Sequence, residues 1–156
     1  MARVIPIVPV AAGKPDSRLP ATLEFRASPP LSLYVHIPWC VQKCPYCDFN
    51  SHTAPEAIPE QAYVAALTAD IESALPLVWG RKISSIFFGG GPPSLLSGAA
   101  LETLLTTIRM LLPVLPDAEI TLEANPGTVE TEKFAAFRAA GVNRLSLGIQ
   151  SFNPGH

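Results

Sequence analysis

The sequence predicts a parallel α/β domain, and three observations carry that reading. From residue 31 onward, short β-rich runs alternate with helical-period runs in the order βαβαβαβ. That order calls for parallel strands joined by right-handed crossovers. Three of the strands alternate polar and apolar residues, so one face suits packed helices and the other a lined interior. The chemically distinctive residues all fall at the C-terminal ends of strands, where parallel α/β folds build their sites.

Residues 1–30 read as an irregular leader, punctuated by Pro6, Pro9, Pro15, Pro20, Pro29 and Pro30, with neither strand nor helix period. Leu31–Ile37 alternates and is rich in β-formers, the first strand. Residues 38–58 are a loop that carries every cysteine. Pro59 suits a first helical turn, and Tyr63, Leu67, Ile71 and Leu75 mark one face of a helix to about Leu77. Lys82–Phe88 is the second strand and runs into Gly89-Gly90-Gly91-Pro92-Pro93. Ser97 can cap a second helix with Leu101, Leu104, Leu105, Ile108 and Leu112 on its apolar face. Pro113 and Pro116 end it. Glu119–Ala124 is the third strand. A third helix runs from about Thr128 to Ala140, with Gly141 at the left-handed position after it. Arg144–Gln150 is the fourth strand. The architecture is then either an open doubly wound sheet or a segment of an α/β barrel. The polar faces (Tyr34 and His36, Glu123, Gln150) set against Leu33, Val35, Ile120, Leu122, Leu145 and Leu147 favour the barrel.

Composition narrows the function. Of 156 residues, 48% are hydrophobic and 15% charged, which excludes a disordered polar tail. A net charge of −2, from 11 basic and 13 acidic residues, excludes a bulk electrostatic hold on nucleic acid. No apolar run is long enough for a transmembrane helix. Pro6 and Pro9 interrupt the apolar stretch Val4–Ala12, which argues against a secretory signal. The three cysteines are an odd, clustered set, a poor disulfide framework that points to a metal or cofactor site in a reducing cytoplasm.

Cys40, Cys44 and Cys47 have the spacing C-x3-C-x2-C. Three thiolates on one short loop can hold three irons of a 4Fe–4S cluster and leave the fourth open to a small molecule. The competing reading is a Cys3His zinc module with His36 or His52 as fourth ligand. The glycine run lacks the Gly-Lys-Ser/Thr ending of a triphosphate loop. Its missing side chains suit close backbone approach to a ligand. Trp39 and Trp79 read as packing residues, Tyr46 as a wall of the cluster pocket, and His36 as a satisfied interior histidine.

The run Tyr34-Val-His-Ile-Pro-Trp-Cys40-Val-Gln-Lys-Cys44-Pro-Tyr-Cys47-Asp-Phe49 resembles the cluster loop of radical S-adenosylmethionine enzymes. Within that superfamily it is similar to the branch of oxygen-independent coproporphyrinogen III oxidases and HemW-type heme chaperones. The similarity continues through Phe88–Leu96, Glu123–Thr128 and Gly141–Phe152, so it covers residues 31–156 nearly continuously. The resemblance implies the N-terminal part of a partial (βα)6 barrel. It implies that Cys40, Cys44 and Cys47 hold the cluster and that S-adenosylmethionine chelates the open iron. Reductive cleavage to methionine and a 5′-deoxyadenosyl radical would follow, with an external electron donor. Tyr34, Tyr46, Gly90, Gly91, Glu123 and Gln150 match cofactor-contacting positions, and heme or porphyrin is the implied partner. No residue is assigned a catalytic role. Two positions depart from the pattern. Phe49 stands where the oxidase branch, which serves porphyrin biosynthesis, has a further cysteine, and so favours the chaperone branch. Pro92 replaces a threonine and supplies neither hydroxyl nor N–H. Relatives are more than twice as long, so the expectation is a truncated chain, ending after the fourth strand, poorly soluble and inactive by itself.

Overall fold

The computed structural model describes residues 27–125 and 131–153. Strand β1 is Leu31–Ile37, followed by the two-residue strands β2 (Trp39–Cys40) and β3 (His52–Thr53). Helix α1 spans Glu60–Val78, β4 Ile83–Gly90, α2 Gly98–Leu111, β5 Val114–Ala124, α3 Thr131–Ala140 and β6 Arg144–Leu147. The main sheet is parallel throughout, in the order β1-β4-β5-β6.

That order has no reversal. The helices lie side by side, α1 against α2 and α2 against α3. They cover the face carrying Val35, Ile37, Ile86, Phe88, Ile120 and Leu122. A doubly wound sheet would switch direction and place helices on both faces. Helices on one face of a consecutively ordered sheet make an arc of an α/β barrel, which settles the alternative left by the sequence.

The elements form for local reasons. The apolar face of α2 (Leu101, Leu104, Leu105 and Ile108) is fully buried. Its cap is Ser97, whose hydroxyl accepts from the Ala100 N–H at 3.1 Å. Glu60, in the first turn of α1, accepts from the Ser97 N–H and hydroxyl at 2.5 and 2.7 Å, tying the two helix starts together. Gly141 follows α3 at φ +116°, the expected left-handed turn.

Several expectations are corrected. The third strand begins at Val114, not Glu119, so Pro116 lies inside β5. It is tolerated because the β4–β5 register shifts there, from Ile83 opposite Val114 to Ser85 opposite Glu119, and no ladder amide is lost. The second strand is Ile83–Gly90, taking in two of the glycines. The fourth strand stops at Leu147, so Gln150 lies beyond it. The segment 38–58 is not all loop, since β2 and β3 pair within it. Trp39 does pack, edge-on to Tyr63 with ring centroids 4.6 Å apart, but Trp79 is 81% exposed. The predicted start of the third helix and most of the leader lie outside the described residues.

Candidate functional site

The strands deliver two kinds of side chain across the sheet. The row Val35–Phe88–Leu122–Leu145 faces the helices, and the row Tyr34–Phe87–Thr121–Arg144 faces the other way. One step further on, His36 lies opposite Gly89 and Glu123 opposite Ser146. The polar face is thus where the alternation put it. Part of it is covered: Thr121 is buried beneath Glu119 and Arg144, an ion pair at 3.3 Å.

At the C-terminal rim a cavity of about 330 Å³ gathers residues from four segments. Cys40, Cys44, Cys47, Tyr46 and Phe49 come from the cysteine loop, and Gly90, Gly91 and Pro92 from the end of β4. Glu123 and Asn125 come from the end of β5, and Ser146, Gly148 and Gln150 from β6 and the turn after it. Eight of the nine residues singled out in the sequence therefore share one cavity. Tyr34 does not line it. It sits beside it, stacked on Phe87 and hydrogen bonded to His36 Nδ1 at 3.0 Å. A Cβ on Gly89 would lie 3.0 Å from Glu123 Oε2 and 3.2 Å from the Tyr34 ring, so that glycine separates the two. Burial, and then the Glu123 charge, raise the Tyr34 phenol above its usual value.

The glycines have a packing reason that spacing did not reveal. Gly90 has φ +114°, and a Cβ there would lie 2.6 Å from the His36 ring. A Cβ on Gly91 would run into the Trp39 carbonyl, and the Gly91 N–H donates to Ile37 O at 2.7 Å. The run therefore threads against the chain between β1 and β2. Neither position tolerates a side chain, whatever occupies the cavity.

All three cysteines are free thiols, Cys44 exposed and the other two half-buried. Among the described residues, no three His, Cys, Asp or Glu side chains converge as a single metal ion requires. A cubane cluster gives each thiolate its own iron, so it does not ask for that convergence. His36 cannot readily serve as a zinc ligand, because both ring nitrogens are engaged: Nδ1 with Tyr34 and Nε2 with Asn50 O at 2.7 Å. The donor set, three soft thiolates on a loop opening into a shared cavity, fits an iron–sulfur cluster with one open iron. Tyr46 is a poorer wall than expected, 79% exposed, with its phenol raised chiefly by a hydrogen bond to Cys44.

Sequence reasoning missed Asn125, Ser146 and Gly148. A Cβ on Gly148 would lie 2.9 Å from Asn125 Oδ1 and 3.0 Å from Gln150 Nε2, so two polar side chains meet over it. Asn125 stood in a motif block without being singled out. Ser146 and Gly148 likewise stood in a motif block, on the polar side of the fourth strand's alternation, without being singled out.

The fold is a parallel α/β barrel arc that carries a three-thiol loop on its C-terminal rim. The Radical SAM superfamily model matches residues 34–156, and the chain belongs to that superfamily. Its relatives include the heme chaperone HemW of Escherichia coli (strain K12), 58% identical over 125 residues, covering 80% of this chain and 33% of that protein. HemW of Haemophilus influenzae is 54% identical over 129 residues, with 80% and 34% covered. The mitochondrial radical S-adenosyl methionine domain-containing protein 1 of Bos taurus is 41% identical over 141 residues, with 90% and 30% covered. Among solved structures, the coproporphyrinogen III oxidase HemN of Escherichia coli, described as a radical SAM enzyme, matches with a TM-score of 0.73 at 38% identity. That match covers 81% of this chain and 29% of the other. The chain spans about a third of the length of the curated relatives it matches.

Proposed function

We propose that this chain supplies the cluster- and S-adenosylmethionine-binding part of a HemW-type heme chaperone. The observation that carries the reading is the shared rim cavity, which unites the three thiols with Glu123, Gln150 and the glycine run. Cys40, Cys44 and Cys47 would hold a 4Fe–4S cluster, which when bound supplies the electron for reductive cleavage of S-adenosylmethionine. The chain's own residues do the rest. Glu123 offers a carboxylate to the amino group of the ligand. Gln150 and Asn125 offer amide groups from the far wall. Gly90 and Gly91 present bare backbone where a side chain would fill the space. Heme enters the proposal through the relatives' names, with an external electron donor and a reducing compartment that keeps the thiols free.

The coproporphyrinogen oxidase reading is the weaker one, because Phe49 occupies the cavity wall at the position of that branch's extra cysteine. The zinc reading loses His36 to its two hydrogen bonds. Anaerobic reconstitution with iron and sulfide tests the proposal. Broad visible thiolate-to-iron absorption is expected, and S-adenosylmethionine should change the EPR spectrum of the reduced protein. Stoichiometric zinc without iron uptake would refute it.

A further inference from the structure

We infer that Lys43 and His36 are positioning residues, a two-part clamp that closes the cysteine loop before any iron arrives. The loop leaves the sheet at Cys40 and rejoins it at Thr53, where the β2–β3 pair sets Trp39 opposite His52 and Cys40 opposite Thr53. Its returning limb, residues 49–51, presents three successive carbonyls, and a side chain holds each one. Lys43 Nζ donates to Phe49 O at 3.3 Å and to Ser51 O at 3.0 Å. His36 Nε2 donates to Asn50 O at 2.7 Å.

The two grips differ in what they join. Lys43 lies on the outgoing limb between Cys40 and Cys44, so its bonds cross the loop and bring the limbs together. His36 lies in β1, so its bond fixes the loop to the sheet. A carbonyl only accepts, so Nε2 carries the proton and Nδ1 accepts from the Tyr34 hydroxyl at 3.0 Å. Tyr34 thereby sets the imidazole in the form the clamp needs. The glycine run makes room for it, because a Cβ on Gly90 would lie 2.6 Å from that ring. Two of the three bonds come from a charged donor, the stronger kind, and together the three hold consecutive residues of the limb in one conformation. The entropy of ordering the loop is then spent on folding rather than on cluster binding, which is how preorganisation raises affinity.

This inference rests on the cluster reading for its purpose but not for its geometry, so the test begins without metal. Hydrogen exchange is followed in the iron-free, reduced protein at the His52 and Ala54 amides, which donate to Pro38 O and Cys40 O. Lys43→Met and His36→Leu should each speed their exchange by about tenfold, the effect of losing a net hydrogen bond near 1.4 kcal/mol. Amides of α2 should not change, which separates local opening from unfolding. Lys43→Arg keeps a fork able to reach two carbonyls, and His36→Gln keeps a donor at the Nε2 position, so both should restore protection. Iron and sulfide titration should then show weaker loading for Met and Leu than for Arg and Gln. Wild-type exchange rates in Lys43→Met and His36→Leu would overturn the clamp. A wild-type protein that takes up no iron and sulfide would count against the cluster reading alone, since the exchange result stands without it.

Discussion

Strands β5 and β6 are neighbours in one parallel sheet and carry the same alternation, yet they end in opposite environments. Leu122 of β5 is fully buried, while Leu145, its partner across the ladder, is 41% exposed. Ala124 is buried, while Leu147 opposite it is 46% exposed. The pattern fixes which face a side chain takes, because the strand period is two. Burial needs something further, a layer laid over that face. Helices α1 to α3 supply it for β1, β4 and β5, and in this chain no described element supplies it for β6.

Truncation along one row of the sheet should break this comparison most sharply. Phe88→Ala should cost about 3–5 kcal/mol and Leu122→Ala about 2–5 kcal/mol, since both leave cavities in a packed layer. Leu145→Ala, on the same row, should cost only about 1–2 kcal/mol, because that side chain is 41% exposed and leaves water only in part. Denaturant unfolding of the three variants checks this. Equal losses at Leu122 and Leu145 would mean that β6 is covered in solution.

Gly91→Ala should have the next largest effect, about 1–3 kcal/mol, by forcing the chain after β4 off the Trp39 carbonyl. It lies on the boundary between core and rim, so it should also reshape the cavity. The expected outcome is a lowered unfolding midpoint together with weaker S-adenosylmethionine binding. A stable variant with unaltered binding would show that the backbone can yield there. By contrast Cys44→Ala, on the exposed rim, should leave the metal-free protein within about 0.5 kcal/mol of wild type. The same substitution should abolish cluster absorption, so chemistry and stability separate by location.

The fold was legible in the sequence wherever a period ran unbroken. Val35 and Ile37, the buried face of α2, the Ser97 cap and Gly141 are where the period and the turn chemistry place them. Legibility failed where tertiary contacts override a local signal. Pro116 reads as a stop, yet β5 passes through it because a register shift removes the demand for its amide. Trp79 reads as core, yet no neighbouring layer covers it. The candidate site was legible through its cysteines and its position at strand ends. The packing role of Gly90 and Gly91, the offset of Tyr34 and the approach of Asn125 and Gln150 to Gly148 were not. Each depends on two segments far apart in sequence meeting at one place.

The smallest effect concerns the tyrosines, and it separates shifts set by the sheet and its helices from one set by a neighbouring thiol. All three phenols are raised, for different reasons: Tyr34 by burial and then Glu123, Tyr63 by burial and then Tyr34, and exposed Tyr46 by its bond to Cys44. A tyrosine is neutral when protonated, so a raised value means the folded state holds its proton into higher pH than the unfolded chain. Between the unfolded value near 10 and the higher folded values, the folded state binds more protons, and stability falls as pH rises. Below pH 9 the contribution is complete and constant. Ultraviolet titration of tyrosinate in the metal-free protein should therefore show a midpoint above 10 that drops to about 10 in denaturant. Tyr63→Phe should remove one phenol from the delayed part of the curve. It also deletes the 2.6 Å bond to the His36 carbonyl, so a modest loss of stability should accompany it. Blocking Cys44 with a thiol reagent should lower only the Tyr46 share toward the ordinary value, because the Cys44 hydrogen bond is the largest cause there and the other two shifts begin with burial. Loss of all three shifts on blocking Cys44 would mean that the cysteine loop, not the sheet, orders this end of the molecule.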